Sequence, residues 1–353
     1  MDKYKSIKHI SCEQISCFSD GLARIKQKGK YGFVDKNGDA AIPCIFDKAY
    51  DFSEGLAAVK MKNLWGYINK AGSIVIPFQF ADADSFMEGL ATVEVAGLWG
   101  FVDKDGKMVI APAYEEVDFF SEGMCAVYGE NGWGYINKEG KLVIPHLYEG
   151  ADIFIGGLAL VTNGNEKCGC IDKEGKIVIP FEYESYMTSN TDKNVICMMN
   201  ENDETWTILD KQGNIVTNNL DYSDIEGFFE GMAVVDNNKK YGCINSEGKL
   251  VIPIEYDDMR HFSEGYIATG KGKRYGYIDK NNKTVIPFEY DSASNFSDGL
   301  AHVNYKGRTS YFINKKNEIV FGVNKSYTLT AKFYWWLFLL IGGLGTIIYL
   351  LLK

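Results

Sequence analysis

The feature that most constrains this chain is a period. An aromatic residue followed by glycine recurs as Tyr31-Gly32, Trp65-Gly66, Trp99-Gly100, Trp133-Gly134, Tyr241-Gly242 and Tyr275-Gly276, with Cys168-Gly169 in the same register. Trp206-Thr207 and Ser310-Tyr311 fit the register without the glycine. Successive steps are 34, 34, 34, 35, 38, 35, 34 and 35 residues. A fixed period of this length marks a repeat array. Each unit is too small to bury its own apolar face and borrows core from its neighbours.

Three turn signals punctuate each unit. The first is Phe-Ser-Glu-Gly, as at Phe52 to Gly55. The second is a short Gly or Asn turn such as Asn131-Gly132. The third begins with Asp or Asn in all nine units, from Asp35 and Asn69 through to Asn314. Its fourth residue is Gly in seven units, Gly38 to Gly248, and Asn at Asn282 and Asn317. Gly and Asn enter the left-handed region most cheaply, so a type I turn followed by an αL residue is expected. Between the turns lie three short apolar runs, such as Leu56 to Val59, Trp65 to Ile68 and Ile74 to Ile76, which read as strands. All seven prolines share one register, Pro43 to Pro287, and are expected to end the third strand.

The motif Trp-Gly-Tyr-Ile-Asn-Lys-x-Gly-Lys-x-Val-Ile-Pro, with Phe-Ser-Glu-Gly-Leu-Ala upstream, resembles the WG-repeat (KWG-repeat) family of bacterial proteins. The resemblance covers about residues 18 to 323 and weakens at 181–217 and in the last unit. It implies interaction modules joined to varied partners.

Composition is globular: 46% hydrophobic, 24% charged, net charge −10. An acidic chain is a poor match for phosphate, so no nucleic-acid partner is expected. Residues 1–17 lack the apolar core of a secretory signal and read as a half-repeat cap. After a juxtamembrane linker at 324–332, residues 333–352 carry no charge. Twenty helical residues span about 30 Å, the thickness of a bilayer core, so a transmembrane helix is expected there. Lys315, Lys316, Lys325 and Lys332 precede the run and only Lys353 follows it. The positive-inside rule then places the repeats in the cytosol of a single-pass, tail-anchored protein.

No residue is assigned to a catalytic, cofactor or metal site. Asp103-Lys-Asp105-Gly106 echoes a calcium loop but lacks the closing Glu, and Asp103 already has a turn role. Cys168-Gly-Cys170 has the wrong spacing for a zinc knuckle. The eight cysteines follow no repeat position, and reduced thiols are expected. The four histidines, His9, His146, His261 and His302, fall at unrelated positions. An acidic row, Asp20, Glu54, Glu88, Glu122, Glu230, Glu264 and Asp298, reads as solvated turn residues or, as the alternative, a face for a basic partner.

The expected architecture is all-β: about nine antiparallel three-stranded units in an open curved stack, with a propeller-like ring as the alternative, followed by the transmembrane helix. The expected function is a non-enzymatic scaffold that binds the lipid bilayer through its tail and other proteins through its repeats. The alternative is a module for carbohydrate or cell-wall fragments on the outer face of the membrane.

Overall fold

The computed structural model describes residues 7–186, 194–200, 204–307 and 309–325. The apolar run at 333–352 lies outside them. Among the described residues there is no helix, and so none long and apolar enough to cross a membrane. The second unit shows the plan. A two-residue strand, Lys48–Ala49, precedes Leu56–Met61, Leu64–Asn69 and Ile74–Phe80, all antiparallel and paired in chain order. Units were expected to have three strands. The short fourth one escapes a hydrophobicity pattern because only two of its residues pair.

The turns follow their chemistry. Ser53 and Leu56 exchange both backbone hydrogen bonds across Glu54 (φ 53°) and Gly55 (φ 89°), a type I′ hairpin. In the third turn the Asn69 Oδ1 accepts from the amides of Ala71 and Ser73, both at 3.0 Å, and Gly72 has φ 77°. Asn282 and Asn317, the two departures from glycine, sit at φ 60° and 61°.

The glycine of the aromatic-Gly pair has a different task from the turn glycines. Across the second and third strands Tyr67 pairs with Ile76, but Trp65 pairs with Phe80, so the edge strand bulges by two extra residues. The bulge passes directly over Gly66. A Cβ there would lie 2.6 Å from the Ile76 carbonyl oxygen and 3.0 Å from Pro77. Glycine is required by close backbone approach. The proline therefore lies inside the third strand, at its bulge, rather than ending it as expected. In the last unit Ser310, Tyr311 and Phe312 pair residue for residue with Val323, Gly322 and Phe321. There is no bulge at that point, and Tyr311 needs no glycine. The sixth unit keeps one extra residue, with Asn219 at φ 56°. The two degenerate units are thus units whose edge strand runs differently.

Core forms between units. Leu22, Phe33, Ile42 and Phe46 of the first unit pack on Ala49, Phe52, Ala57, Val59 and Ile68 of the second. The same pairing repeats around the chain in nine clusters. The ninth joins the ends: Leu300, Phe312, Phe321 and Val323 pack on Cys12, Phe18, Ala23, Ile25 and Val34. Nine units in an open stack have eight interfaces, and nine are present.

The aromatic and serine contacts of an ordinary step recur at this seam. Phe312 meets Phe18 edge to face at 5.2 Å, as Tyr67 meets Phe86 at 4.9 Å. The Ser297 hydroxyl donates to the Phe18 carbonyl at 2.6 Å, as Ser53 does to Phe86 at 2.7 Å. The expected open stack is therefore corrected: the array closes on itself. Between the fifth and sixth units the sheets are continuous through Ile177–Tyr186, which serves as third strand of one and short strand of the next.

The N-terminal residues expected to form a cap divide in two. Gln14–Ser19 opens the first unit's sheet, pairing with Leu22–Gln27. His9–Cys12 pairs in parallel with the last strand, Ile319–Lys325. The Gly322 amide donates to the Lys8 carbonyl at 2.8 Å. Gly322 holds the position that is proline in six units (in the third, Ala111 stands there and Pro112 follows), and a proline has no N–H to give.

Two outcomes follow. Gly66→Ala should destabilise the protein by about 1–3 kcal/mol through forced movement of the edge strand, and should cost more than Ala at Gly164, which is outside the left-handed region and where a Cβ would meet only Glu149 at 3.7 Å. Thermal melts of the two variants check this. Gly322→Pro should expose amides 9–12 to hydrogen exchange while leaving 56–80 unchanged.

Candidate interaction surface

The acidic row is partly open to solvent, but its carboxylates are not free. Each member starts a type I′ hairpin at positive φ, an unusual conformation for Glu, from Asp20 (φ 55°) to Asp298 (φ 54°). Its carboxylate reaches the next unit. Glu122 accepts from the amides of Gly156 at 2.7 Å and Gly157 at 2.8 Å, and pairs with Lys173 at 3.4 Å. Glu88 does the same with Glu122, Gly123 and Lys138. Glu54, Glu230 and Glu264 pair with Lys104, Lys280 and Lys315. At the seam Asp298 accepts from Gly21 at 2.6 Å, with Lys36 at 4.0 Å.

The row is a set of ties between neighbouring units, and Gly156 takes the equivalent position in the fifth unit. Partial burial pushes the Glu122 carboxyl up. The amides of Gly156 and Gly157 and the Lys173 ammonium outweigh it and hold the group below the usual range.

A second acidic row was not foreseen. Two residues before the unit phenylalanine stand Asp84, Asp118, Asp152 and Glu226. Burial, aided by neighbouring carboxylates, pushes Asp84, Asp118 and Glu226 above their ordinary range. Backbone carbonyls of the same segment accept the buried tyrosine hydroxyls: Tyr67 to Asp84 at 2.7 Å and Tyr135 to Asp152 at 2.8 Å. Asp224, Glu226, Asp236 and Tyr241 line a small open cleft in the seventh unit. The recurrence of an acid ahead of the phenylalanine was the available sequence signal.

The remaining candidates stay apart. Asp103 caps its turn, its Oδ1 accepting from Asp105 and Lys107. Cys168 and Cys170 lie in the apolar layer with Ile179 and Tyr183, and burial pushes the Cys170 thiol up to about 12. None of the eight cysteines is in a disulfide. His9 rests on Gly322, and His146 lies against Gly129. His261 stacks on Phe229 at 4.1 Å, and His302 stacks on Phe312 at 5.0 Å. Burial lowers His302 to about 4. Among the described residues no three His, Cys, Asp or Glu side chains converge as metal ligands would.

One set of exposed apolar residues is periodic. The third strand begins with paired outward residues: Ile74 and Val75, Leu142 and Val143, Ile215 and Val216, Leu250 and Val251. Val109 and Ile177 hold the same position in the units between.

The WG containing repeat is matched in nine segments that run with little interruption from residue 9 to residue 308. The chain belongs to the WG-repeat family. No curated protein matches it. Solved structures resemble it weakly. The computationally designed Ika8 protein has 10% identity and a TM-score of 0.44, over 77% of this chain and 93% of that one. BamB from Moraxella catarrhalis has 10% identity and a TM-score of 0.40, over 93% and 96%. Hsv2p of Kluyveromyces lactis has 8% identity and a TM-score of 0.40, over 67% and 93%. At these values nothing about ligands or partners carries across.

Glu122→Gln should cost about 1 kcal/mol at neutral pH through weakened charge-assisted bonds. Because the folded carboxyl titrates below the unfolded one, this stabilisation is present above the ordinary carboxylate range and is lost as pH falls through the folded value. Melting curves of wild type and variant should differ at neutral pH and converge in acid.

Proposed function

We propose that this WG-repeat protein is a non-enzymatic scaffold, held at a membrane by residues 333–352, whose ring presents side chains to protein partners. The observation that carries the reading is the band of exposed apolar residues opening the third strand in six consecutive units, from Ile74 to Val251. Exposed apolar side chains repeated at one place in neighbouring units offer a surface for partners. In five of the six strands, all but Ile215–Leu220, a proline blocks pairing by another chain's backbone, so the band there offers side chains without inviting edge-to-edge aggregation. Further support comes from what the polar groups already do. The acidic row, the Asp/Asn turns and most thiols are used in building the ring.

Affinity capture from detergent-solubilised membranes tests this with the full chain and a variant carrying Ile74→Thr, Leu142→Thr, Ile215→Thr and Leu250→Thr. Exposed substitutions of this type alter stability by about 0.5 kcal/mol or less each. Proteins recovered with the wild type should be lost with the variant. Equal recovery, or none above a tag control, overturns the reading.

A further inference from the structure

The hairpins joining the first and second strands all lie at one end of the ring, opposite the Glu–Lys ties. Their charge is divided into two sectors. The eighth unit's hairpin carries Lys271, Lys273 and Arg274, and the ninth carries Lys306. The first adds Lys26, Lys28 and Lys30, and the second Lys60 and Lys62. No acid lies on these four hairpins. The third to sixth units place Glu94, Glu130, Glu166 and Glu204 at the corresponding positions, against Lys167 alone. The cationic hairpins are contiguous only because the ring closes between the ninth and first units.

Part of this charge is compensated. Lys30, Lys271 and Arg274 pair with Asp47, Glu255 and Asp291 of the adjoining connections. Lys28, Lys62, Lys273 and Lys306 are exposed and enter no ion pair with a described residue. At the other end of the ring the corresponding lysines are tied to the acidic row.

The described chain ends at Lys325, on the hairpin side of the ninth unit, inside the cationic sector. From there to Phe333 is eight residues, a reach of at most about 28 Å even when fully extended. A tether of that length keeps the sector near whatever surface the apolar run enters.

We infer that the hairpins of units eight, nine, one and two form a docking face for the anionic lipid headgroups of the membrane that holds the tail. This rests on the membrane reading of residues 333–352. The acidic sector is then repelled from the same surface, so the ring stands tilted with units three to six lifted into solution. The band on the edge strands stays open to partners. Each exposed cation near an anionic bilayer strengthens binding about fivefold, and salt screens the attraction.

Full-length protein is mixed with phosphatidylcholine vesicles with and without phosphatidylserine, floated, and followed by hydrogen exchange. The comparison variant is Lys28→Asn, Lys62→Asn, Lys306→Asn and Lys273→Gln. Asparagine suits the positive φ of Lys28, Lys62 and Lys306. The expected result is flotation on both vesicles. Protection of hairpins 27–30, 61–64 and 271–274 should appear only with phosphatidylserine, be absent at 95–98 and 129–132, and be abolished by high salt or by the variant. Flotation on both with unchanged hairpin exchange overturns the docking face and leaves the anchor standing. Flotation on phosphatidylserine vesicles alone, lost in the variant, supports the face and removes the anchor. No flotation on either overturns both.

Discussion

Everything in this fold depends on the apolar layer between neighbouring sheets. A single unit has two apolar faces and cannot close over either. The phenylalanine that opens each Phe-x-Glu-Gly turn shows how the layer is made. Phe52, Phe86 and Phe120 are almost fully buried, and each meets an aromatic ring of the preceding unit edge to face. Burying one such ring is worth about 2–3 kcal/mol. An open array would leave one face of the first unit and one of the last in water. Closing the ring buries both, and Phe18 against Phe312 is where that happens.

A ring of small sheets multiplies the edge problem, because most third strands present an unpaired backbone. The chain answers with proline in seven units, at the bulge over the aromatic-Gly glycine. Bulge, proline and glycine form one device: the bulge needs glycine beneath it, and proline fits where the edge N–H has no partner. Where the last unit must accept the N-terminal strand, all three are absent together. Tyr311, Gly322 and a straight edge replace them. The departures from the motif in that unit are the means by which the two ends of the chain are joined.

The acidic residues show why a repeated charge is hard to interpret before folding. Glu54 and its equivalents occupy a turn position better suited to Asn or Gly. The cost of positive φ is offset by bonds to amides and to a lysine in the next unit. A conserved-looking charge on a turn would ordinarily be read as surface. Here the carboxylates bind unit to unit at seven of the nine steps, seam included.

The short fourth strand and the place of the proline could not be read from the chain alone; the period, the three longer strands of each unit, the third turn and its exceptions Asn282 and Asn317 all could. Each depends on backbone preferences acting within a few residues. Its membership of the WG-repeat family was legible for the same reason. Closure was not legible, because the same repeat serves an open or a closed array. The difference lies in the angle between neighbouring sheets summed over nine steps. The partners of Glu122, 34 and 51 residues away, were equally out of reach. So was the use of the aromatic-Gly glycine, which depends on a bulge in another strand. Local pattern determined what each unit is. Only tertiary packing decided that the ninth unit meets the first, and that the lysines of units eight, nine, one and two stand side by side.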